Sequence, residues 1–331
     1  MKRWIEVDDR SAIAAVRRLS RRHASALGLS EARVEELAIV VTEATTNIVR
    51  YAGSGRVLIE AVRTPVSEKL VLVFTDNGPG IANIDMMMRD GTSTSESAGL
   101  GLGAIQRLSD SFDVFSSAEA GTTIVCTFEV MNNLPVGLGL EVDGLRVCYP
   151  TENTCGDAWM IRHLPPFVDV LLCDGLGHGP KAAEAADELI ALSQDGCAAP
   201  SETIARLSEE LIGHRGAVVA MVRLDMDARV LSYAGIGNIT TMIVGAQGIK
   251  RFAVRDGRIG GPAVKGFEET RELEVGDVLI MHSDGLTTLR EGDLNPALLN
   301  RSPLLIAGFL LDRMFRGRDD ASIVVARVKG E

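Results

Sequence analysis

The chain has 331 residues, in which Asp and Glu (45) outnumber Lys and Arg (34), so its net charge at pH 7 is −11. This length suits two ordinary domains, and an acidic chain repels a phosphate backbone, which excludes nucleic-acid binding. Hydrophobic residues make up 46% and charged residues 24%, which is typical of globular domains and excludes general disorder.

The compartment is predicted from the N-terminal residues and the cysteines. No apolar run reaches the roughly 18 residues that span a bilayer, and the charged residues 1–10 contain no apolar core of a signal peptide. The five cysteines form no Cys-x-x-Cys pair, so we expect free thiols in a reducing compartment. The prediction is a cytoplasmic protein that does not bind a membrane.

In chain order, the first half predicts helix, helix, strand, strand, loop, helix, strand, strand. Ser30 can cap a helix that runs to about Tyr51. Residues 57–62, 70–75 and 122–130 have the composition or alternation of strands. Because helices and strands do not alternate strictly, we expect an α+β domain.

A domain boundary is predicted near residue 133, because Asn, Pro and Gly cluster in residues 131–139. The expected domains are therefore 1–133 and 134–331. The second half contains many short apolar runs, at 168–173, 217–224, 230–233, 278–282 and 322–328, and helical stretches at 181–192 and 201–212. This pattern predicts a sandwich of sheets flanked by helices.

Three segments of the first half combine into a candidate nucleotide site. Glu43 and Asn47 are one helical turn apart, and together they can orient a water and hold Mg²⁺. Asp76 ends an apolar strand and can accept a hydrogen bond from a base amino group. Glycines that let backbone approach a ligand follow it and later open a helix, at Gly78, Gly80, Gly99, Gly101 and Gly103. Taken alone, the Glu43 and Asn47 pair is better explained as a solvated helix face, the segment after Asp76 as a common turn, and the later glycines as weak evidence for phosphate binding.

The three segments are, in chain order, Thr42-Glu43-Ala44 with Asn47, Asp76-Asn77-Gly78-Pro79-Gly80, and Gly99-Leu100-Gly101. Together they resemble the N, G1 and G2 boxes of the GHKL (Bergerat-fold) ATP-binding family. Within it, residues 5–130 are most similar to RsbT-like serine/threonine switch kinases. The resemblance implies a two-layer α/β sandwich that binds ATP with Mg²⁺. It further implies that Asn47 ligates Mg²⁺, that Glu43 activates the attacking hydroxyl and that Asp76 binds the adenine amino group. The phosphate lid would comprise Gly78, Gly80, Gly99, Gly101 and Gly103.

Acidic residues at strand ends form a second candidate site. Two apolar strands end in Asp174-Gly175 and Asp284-Gly285, while Asp157 follows Gly156 and Asp319-Asp320 precede a strand. If these carboxylates converge, they repel one another unless a cation is bound. An all-oxygen donor set suits Mg²⁺ or Mn²⁺ rather than zinc.

The motifs around these acids, including Asp174-Gly175-Leu176-Gly177-His178-Gly179 and Gly317-Arg318-Asp319-Asp320, resemble PPM-type metal-dependent phosphatases of the SpoIIE and RsbX branch. The resemblance covers residues 140–331 and implies a β-sandwich flanked by helices, with two Mn²⁺ or Mg²⁺ ions. It places Asp174 between the metals, the Gly175 carbonyl on one, and Asp284 and Asp319 on the other. Asp157 would act directly or through water, and Asp320 is a second choice of ligand. The general acid is either His178 or water, and Arg215 is a candidate phosphate clamp.

Together, the two resemblances imply a bifunctional signalling regulator. It would phosphorylate Ser or Thr of a STAS-domain partner with ATP and remove phosphate from the same or a related partner with metal-activated water. A sigma factor or a downstream phosphatase is a further candidate partner, and self-association is left open. In the alternative interpretation the first domain binds ATP and a partner without catalysis, as a docking module for the phosphatase. A scaffold with two inactive sites is disfavoured, because both sets of acids are complete.

Overall fold

A computed structural model describes residues 3–88, 101–135, 138–194, 196, 198–264 and 266–330 of the chain. The chain divides into two compact units, Arg3–Asn133 and Leu134–Glu331. Among the described helices, none is long and apolar enough to cross a bilayer. Four cysteines are buried as free thiols, at Cys126, Cys148, Cys155 and Cys173, and Cys197 lies outside the described residues.

The first unit is a five-stranded antiparallel sheet with helices against one face. Its elements are β1 (Ile5–Val7), α1 (Arg10–Leu27), α2 (Glu31–Asn47), β2 (Gly55–Arg63), β3 (Ser67–Asp76), α3 (Ile84–Met87), α4 (Gly101–Leu108), β4 (Ser111–Ser117) and β5 (Gly121–Asn132). The strand order is β1-β2-β3-β5-β4. Apolar side chains of α1, α2 and α4 pack on the sheet face that carries Ile59, Leu72 and Phe74. This arrangement confirms the predicted two-layer α/β sandwich.

The helix predicted from Ser30 to about Tyr51 is shorter than expected. The Ser30 hydroxyl caps it by accepting the Arg33 N–H, as predicted. The α-helical hydrogen bonds end at Asn47, and a π-helical turn covers Ile48–Ala52. Thr45 donates its hydroxyl to the Val41 carbonyl, and such bonds compete with the regular ladder. A π turn is often found at functional sites.

The second unit is a sandwich of two five-stranded antiparallel sheets. Its elements are β6 (Leu140–Val147), β7 (Asp157–Leu164), β8 (Phe167–Gly175), α5 (Pro180–Ser193), α6 (Pro200–Glu210), β9 (Ala217–Asp225), β10 (Val230–Ile236), β11 (Thr240–Gly245), β12 (Gly248–Arg251), β13 (Glu269–Glu272), β14 (Val278–His282), α7 (Pro296–Leu299), α8 (Pro303–Met314) and β15 (Ala321–Val328), with a 3₁₀ turn at Glu291–Asp293. The strand orders are β13-β10-β9-β8-β7 and β12-β11-β14-β15-β6.

Two apolar clusters explain this architecture. One lies between the sheets and contains alternate residues of facing strands, such as Val170, Val222 and Leu279. The other lies between the first sheet and helices α5 and α6, and contains Leu171 and Leu189. Successive strand residues point to opposite faces, so the apolar residues of β8 supply both clusters. The prediction of a β-sandwich flanked by helices is confirmed.

Candidate functional sites

The end of α2 supports the first site. Glu43 and Asn47 lie one turn apart and both are half-buried, and Asn47 is the last α-helical residue before the π turn. Partial burial raises the pKa of the Glu43 carboxyl, because desolvation disfavours the charged form. Such a shift is typical of a general base, which works best with a pKa nearer the operating pH.

Asp76 lies at the end of β3, where a backbone cradle fixes its carboxyl group. Its Oδ1 accepts the N–H of Gly78 at 2.8 Å and that of Thr122 at 3.3 Å. A Cβ at Gly121 would lie 2.1 Å from the Asp76 carbonyl oxygen, and Gly121 has φ +64°. Gly80 likewise has φ +73°, and a Cβ there would lie 2.5 Å from the Ser117 carbonyl oxygen. Both positions require glycine, so the turn that orients Asp76 tolerates no side chain there.

The predicted phosphate-binding glycines are only partly described. Gly101 begins α4 with φ +36°, and a Cβ there would meet nothing within 4 Å. Gly103 is buried in the same helix. Gly99 lies outside the described residues.

Strand pairing brings the acids of the second site together. Asp157 begins β7 and Asp174 lies near the end of β8, and they are direct partners in this antiparallel pair. Asp284 follows β14, and Asp319 and Asp320 precede β15, its neighbour. The Asp157 Oδ2 accepts the hydroxyls of Ser283 at 2.6 Å and Ser322 at 2.7 Å. These two bonds connect the sheets at the edge where the acids lie.

Burial and neighbouring negative charges raise the pKa values of several carboxyl groups in this cluster. Burial, followed by the charges of Asp157, Asp284 and Asp319, raises the pKa of Asp174 to about 9. Burial also raises the pKa of Asp157 to about 7, against two serine hydrogen bonds that lower it. The pKa of Asp319 is raised by burial and by the charges of Asp284 and Asp320.

The donor set fits divalent metal ions. In the part of the chain that the structure describes, the buried Oδ1 of Asp157 has no hydrogen-bond partner. A buried carboxylate oxygen without a partner is costly, and it lies among further carboxylates that disfavour its charge. Mg²⁺ or Mn²⁺ would remove both penalties, since these ions prefer carboxylate and carbonyl oxygens.

Gly175 and Asp320 have distinct surroundings. A Cβ at Gly175 would lie 2.3 Å from the Ala182 carbonyl oxygen, so α5 approaches the Asp-Gly turn too closely for a side chain. Both carboxylate oxygens of Asp320 accept backbone N–H groups, Oδ1 from Tyr149 at 2.7 Å and Oδ2 from Gly156 at 2.8 Å. Asp320 therefore supports the segment that leads to Asp157.

Arg215, the predicted phosphate clamp, lies over the turn that follows Asp174. Its Nε donates to the Leu176 carbonyl at 2.7 Å. Sequence reasoning assigned no role to Asn238, whose Nδ2 donates to the Asp284 Oδ2 at 2.7 Å. Asn238 lies two residues after the end of β10, and no pattern in the sequence links it to Asp284.

His178 lies in the loop between β8 and α5, and its side chain is 50% exposed. Its Nδ1 lies 3.2 Å from the Glu152 Oε1, and its ring stacks on Tyr149. Sequence reasoning missed both contact residues, because 26 or more positions separate them from His178 in the chain.

Comparisons with known proteins match the two units separately. The family model described as the histidine kinase-like ATPase domain matches residues 6–128. The family model described as stage II sporulation protein E (SpoIIE) matches residues 168–329.

Individual relatives agree with this division. Serine/threonine-protein kinase RsbT of Bacillus subtilis (strain 168) is 38% identical over 112 residues, which are 34% of this chain and 84% of RsbT. Phosphoserine phosphatase RsbX of the same organism is 24% identical over 137 residues, 41% of this chain and 69% of RsbX. The crystal structure of RsbX in complex with magnesium matches with a TM-score of 0.52 and 20% identity, over 57% of this chain and 96% of that one. This last likeness shows the fold.

Proposed function

The chain belongs to the histidine kinase-like ATPases in its first domain and to the SpoIIE-type phosphatases in its second, and we propose that it is a bifunctional phosphorylation regulator. The first domain (1–133) transfers phosphate from ATP to Ser or Thr of a STAS-domain partner. The second (134–331) removes phosphate from Ser or Thr of the same or a related partner. One site would then add phosphate to Ser or Thr, and the other would remove it.

The single observation that carries the phosphatase assignment is the acid cluster around the Oδ1 of Asp157, a buried oxygen with no hydrogen-bond partner among the described residues. When two divalent ions are bound, they supply positive charge to the phosphate and a nucleophilic water. We assign Asp174, Asp284 and Asp319 as ligands, together with the Gly175 carbonyl and with Asp157, either directly or through water. Ser283 and Ser322 hold Asp157 in place, and Asn238 holds Asp284.

The kinase assignment depends on Glu43. In this proposal Glu43 would take the proton of the attacking Ser or Thr hydroxyl, and Asn47 would hold Mg²⁺, which would offset negative charge of ATP. Asp76 fixes the adenine, and glycines including Gly101 and Gly103 present backbone N–H groups to phosphate. The raised pKa of Glu43 supports the role of a base, since a pocket that only binds ATP needs no such group.

Covalent connection of the two domains supports a shared partner. Two sites on one chain experience a high effective concentration of anything that either one binds. A STAS-domain protein is the partner class that RsbT-like kinases imply, and a sigma factor or a downstream phosphatase is a second-rank partner. Because the two activities oppose each other, an input must favour one of them. We assign this input to the binding of a partner.

Two assays test the halves independently. Mn²⁺-dependent hydrolysis of p-nitrophenyl phosphate should occur in wild type and disappear in Asp174→Ala, while Glu43→Ala retains it. ADP formation with the partner should be lost in Glu43→Ala and retained in Asp174→Ala. If wild type binds ATP but forms no ADP, the first domain is a docking module. If no metal-dependent hydrolysis occurs, the phosphatase assignment is wrong.

A further inference from the structure

Tyr149 and Glu152 hold the His178 imidazole from two directions. The rings of Tyr149 and His178 stack with centroids 4.5 Å apart and planes 11° apart. The His178 Nδ1 lies 3.2 Å from the Glu152 Oε1. The stacking fixes the plane of the imidazole, and the hydrogen bond fixes its rotation within that plane. A half-exposed histidine would otherwise sample several rotamers.

The segment that carries Tyr149 and Glu152 is itself fixed to the acid cluster. Asp320 accepts the N–H groups at both ends of it, from Tyr149 and Gly156, and the Glu152 N–H donates to the Tyr149 carbonyl at 2.9 Å. A Cβ at Gly179 would lie 2.9 Å from the Glu152 Oε1, so this segment and the His178 loop approach closely. The imidazole is therefore positioned relative to Asp319, the neighbour of Asp320.

His178 also lies within electrostatic reach of the predicted metal ligands. Its positive charge lowers the pKa of Asp319, although burial of that carboxyl outweighs the effect. Its side chain remains 50% exposed, so a phosphorylated side chain of another protein can reach it. With Glu152 on Nδ1, Nε2 is the nitrogen left to face a substrate.

We propose that Tyr149 and Glu152 are positioning residues, which orient His178 so that its Nε2 donates a proton to the leaving oxygen of the phosphoserine or phosphothreonine. This inference rests on the proposed phosphatase activity. It chooses His178 over water as the general acid. It also gives Asp320 a role in anchoring the Tyr149–Gly156 segment.

The proton transfer completes a balanced hydrolysis. The water oxygen forms a bond to phosphorus as the bond between phosphorus and the seryl oxygen breaks. The seryl oxygen leaves with the electron pair of that bond and takes the proton from the His178 Nε2. The proton released by the attacking water returns to the imidazole through solvent. The sum is phosphoester and water to alcohol and phosphate.

The test compares a good with a poor leaving group. A seryl alkoxide needs a proton to leave, whereas p-nitrophenolate is a stable anion and needs none. With Mn²⁺ present, Glu152→Ala and Tyr149→Leu should lower kcat for a phosphoserine peptide about 10- to 100-fold and affect p-nitrophenyl phosphate much less. His178→Asn should give the same split, and Tyr149→Phe, which keeps the stacking, should restore peptide hydrolysis. The exposed acid Glu184 of α5 offers a matched control in Glu184→Ala.

A double variant distinguishes loss of the positioning of His178 from a general loss of structure at the site. Glu152→Ala combined with His178→Asn should be no slower on the peptide than His178→Asn alone, because Glu152 acts through His178. Multiplicative losses, or equal losses on both substrates, would overturn the proposal.

A readout without activity distinguishes failure of this inference from failure of the proposed function. If wild type hydrolyses neither substrate, the phosphatase assignment fails, and the stacking is still measurable by NMR. Tyr149 should shift the ring protons of His178 upfield, and Tyr149→Leu should remove that shift. The protein has five histidines, so His178→Asn assigns the signal. An unchanged signal in Tyr149→Leu would mean that the tyrosine does not hold the imidazole.

Discussion

Binding of Mn²⁺ to the acid cluster should release protons from the protein. The metal-free pKa of Asp174 is about 9 and that of Asp157 is about 7. At pH 7.5 these values leave Asp174 largely protonated and Asp157 largely ionised, so coordination of both carboxylates releases about one proton per protein. Ionising Asp174 at this pH costs about 2 kcal/mol, which weakens metal binding roughly 30-fold relative to a pre-ionised site.

Titration calorimetry in two buffers measures this number. The observed binding enthalpy depends on the ionisation enthalpy of the buffer, with a slope equal to the number of protons released. We expect a slope of about one proton for wild type and a clearly smaller slope for Asp174→Asn at pH 7.5. Asp187→Asn, a change of an exposed acid on α5, should match wild type.

The reasoning would be refuted by a wild-type slope near zero. That result would mean that Asp174 and Asp157 are already ionised before the metal arrives, and that the cluster is better solvated than its burial indicates. An equal slope in Asp174→Asn would locate the released proton on another group.

Three further predictions concern stability and the nucleotide site. In EDTA, the melting temperature of the second domain should fall as pH rises from about 4 towards 9. The cause is that Asp174 keeps its proton in the folded protein, whereas in the unfolded chain it loses that proton above its ordinary pKa of 3.8. Calorimetry should show a weaker dependence of the melting temperature on pH in Asp174→Asn. Asp169 is buried between Arg162 and Arg223 at 2.7 Å, so Asp169→Ala should cost about 3–5 kcal/mol in urea unfolding, whereas loss of an exposed ion pair costs about 1 kcal/mol or less. Gly121→Ala should weaken ATP binding at least tenfold by fluorescence titration, because its Cβ would displace the Asp76 turn, and unchanged affinity would contradict the role of that turn.

Asp76, Asp174 and Asp284 could be predicted from sequence because each lies at or just after the end of an apolar strand. The run Val170–Cys173 is apolar at every position, so it predicts a buried strand, and the Asp-Gly that ends it must lie at a sheet edge. By the same argument, the predicted strand at residues 70–75 places Asp76 at a strand end. The sequence of a single strand does not predict which acids lie next to one another. Asp157 and Asp174 are neighbours because of the register in which β7 pairs with β8.

The contacts that orient the site could not be predicted, because they join distant loop residues. Glu152 and His178 are 26 positions apart, and Asn238 and Asp284 are 46 apart; neither pair leaves a periodic pattern. Helix α8 was also missed, since its residues are apolar on nearly all sides and give no amphipathic signal. The π turn after Asn47 was missed because its residues continue an ordinary helical pattern.

The measurement that tests the central claim most directly follows phosphate on a STAS-domain partner. The partner would be incubated with the protein and radiolabelled ATP, with wild type, Glu43→Ala and Asp174→Ala in parallel, and its label followed over time by gel. We expect Asp174→Ala to accumulate label, wild type to show less and Glu43→Ala to show none. If no variant labels the partner while wild type still removes phosphate from a pre-phosphorylated one, the first domain is not a kinase and the account of two opposed activities is wrong.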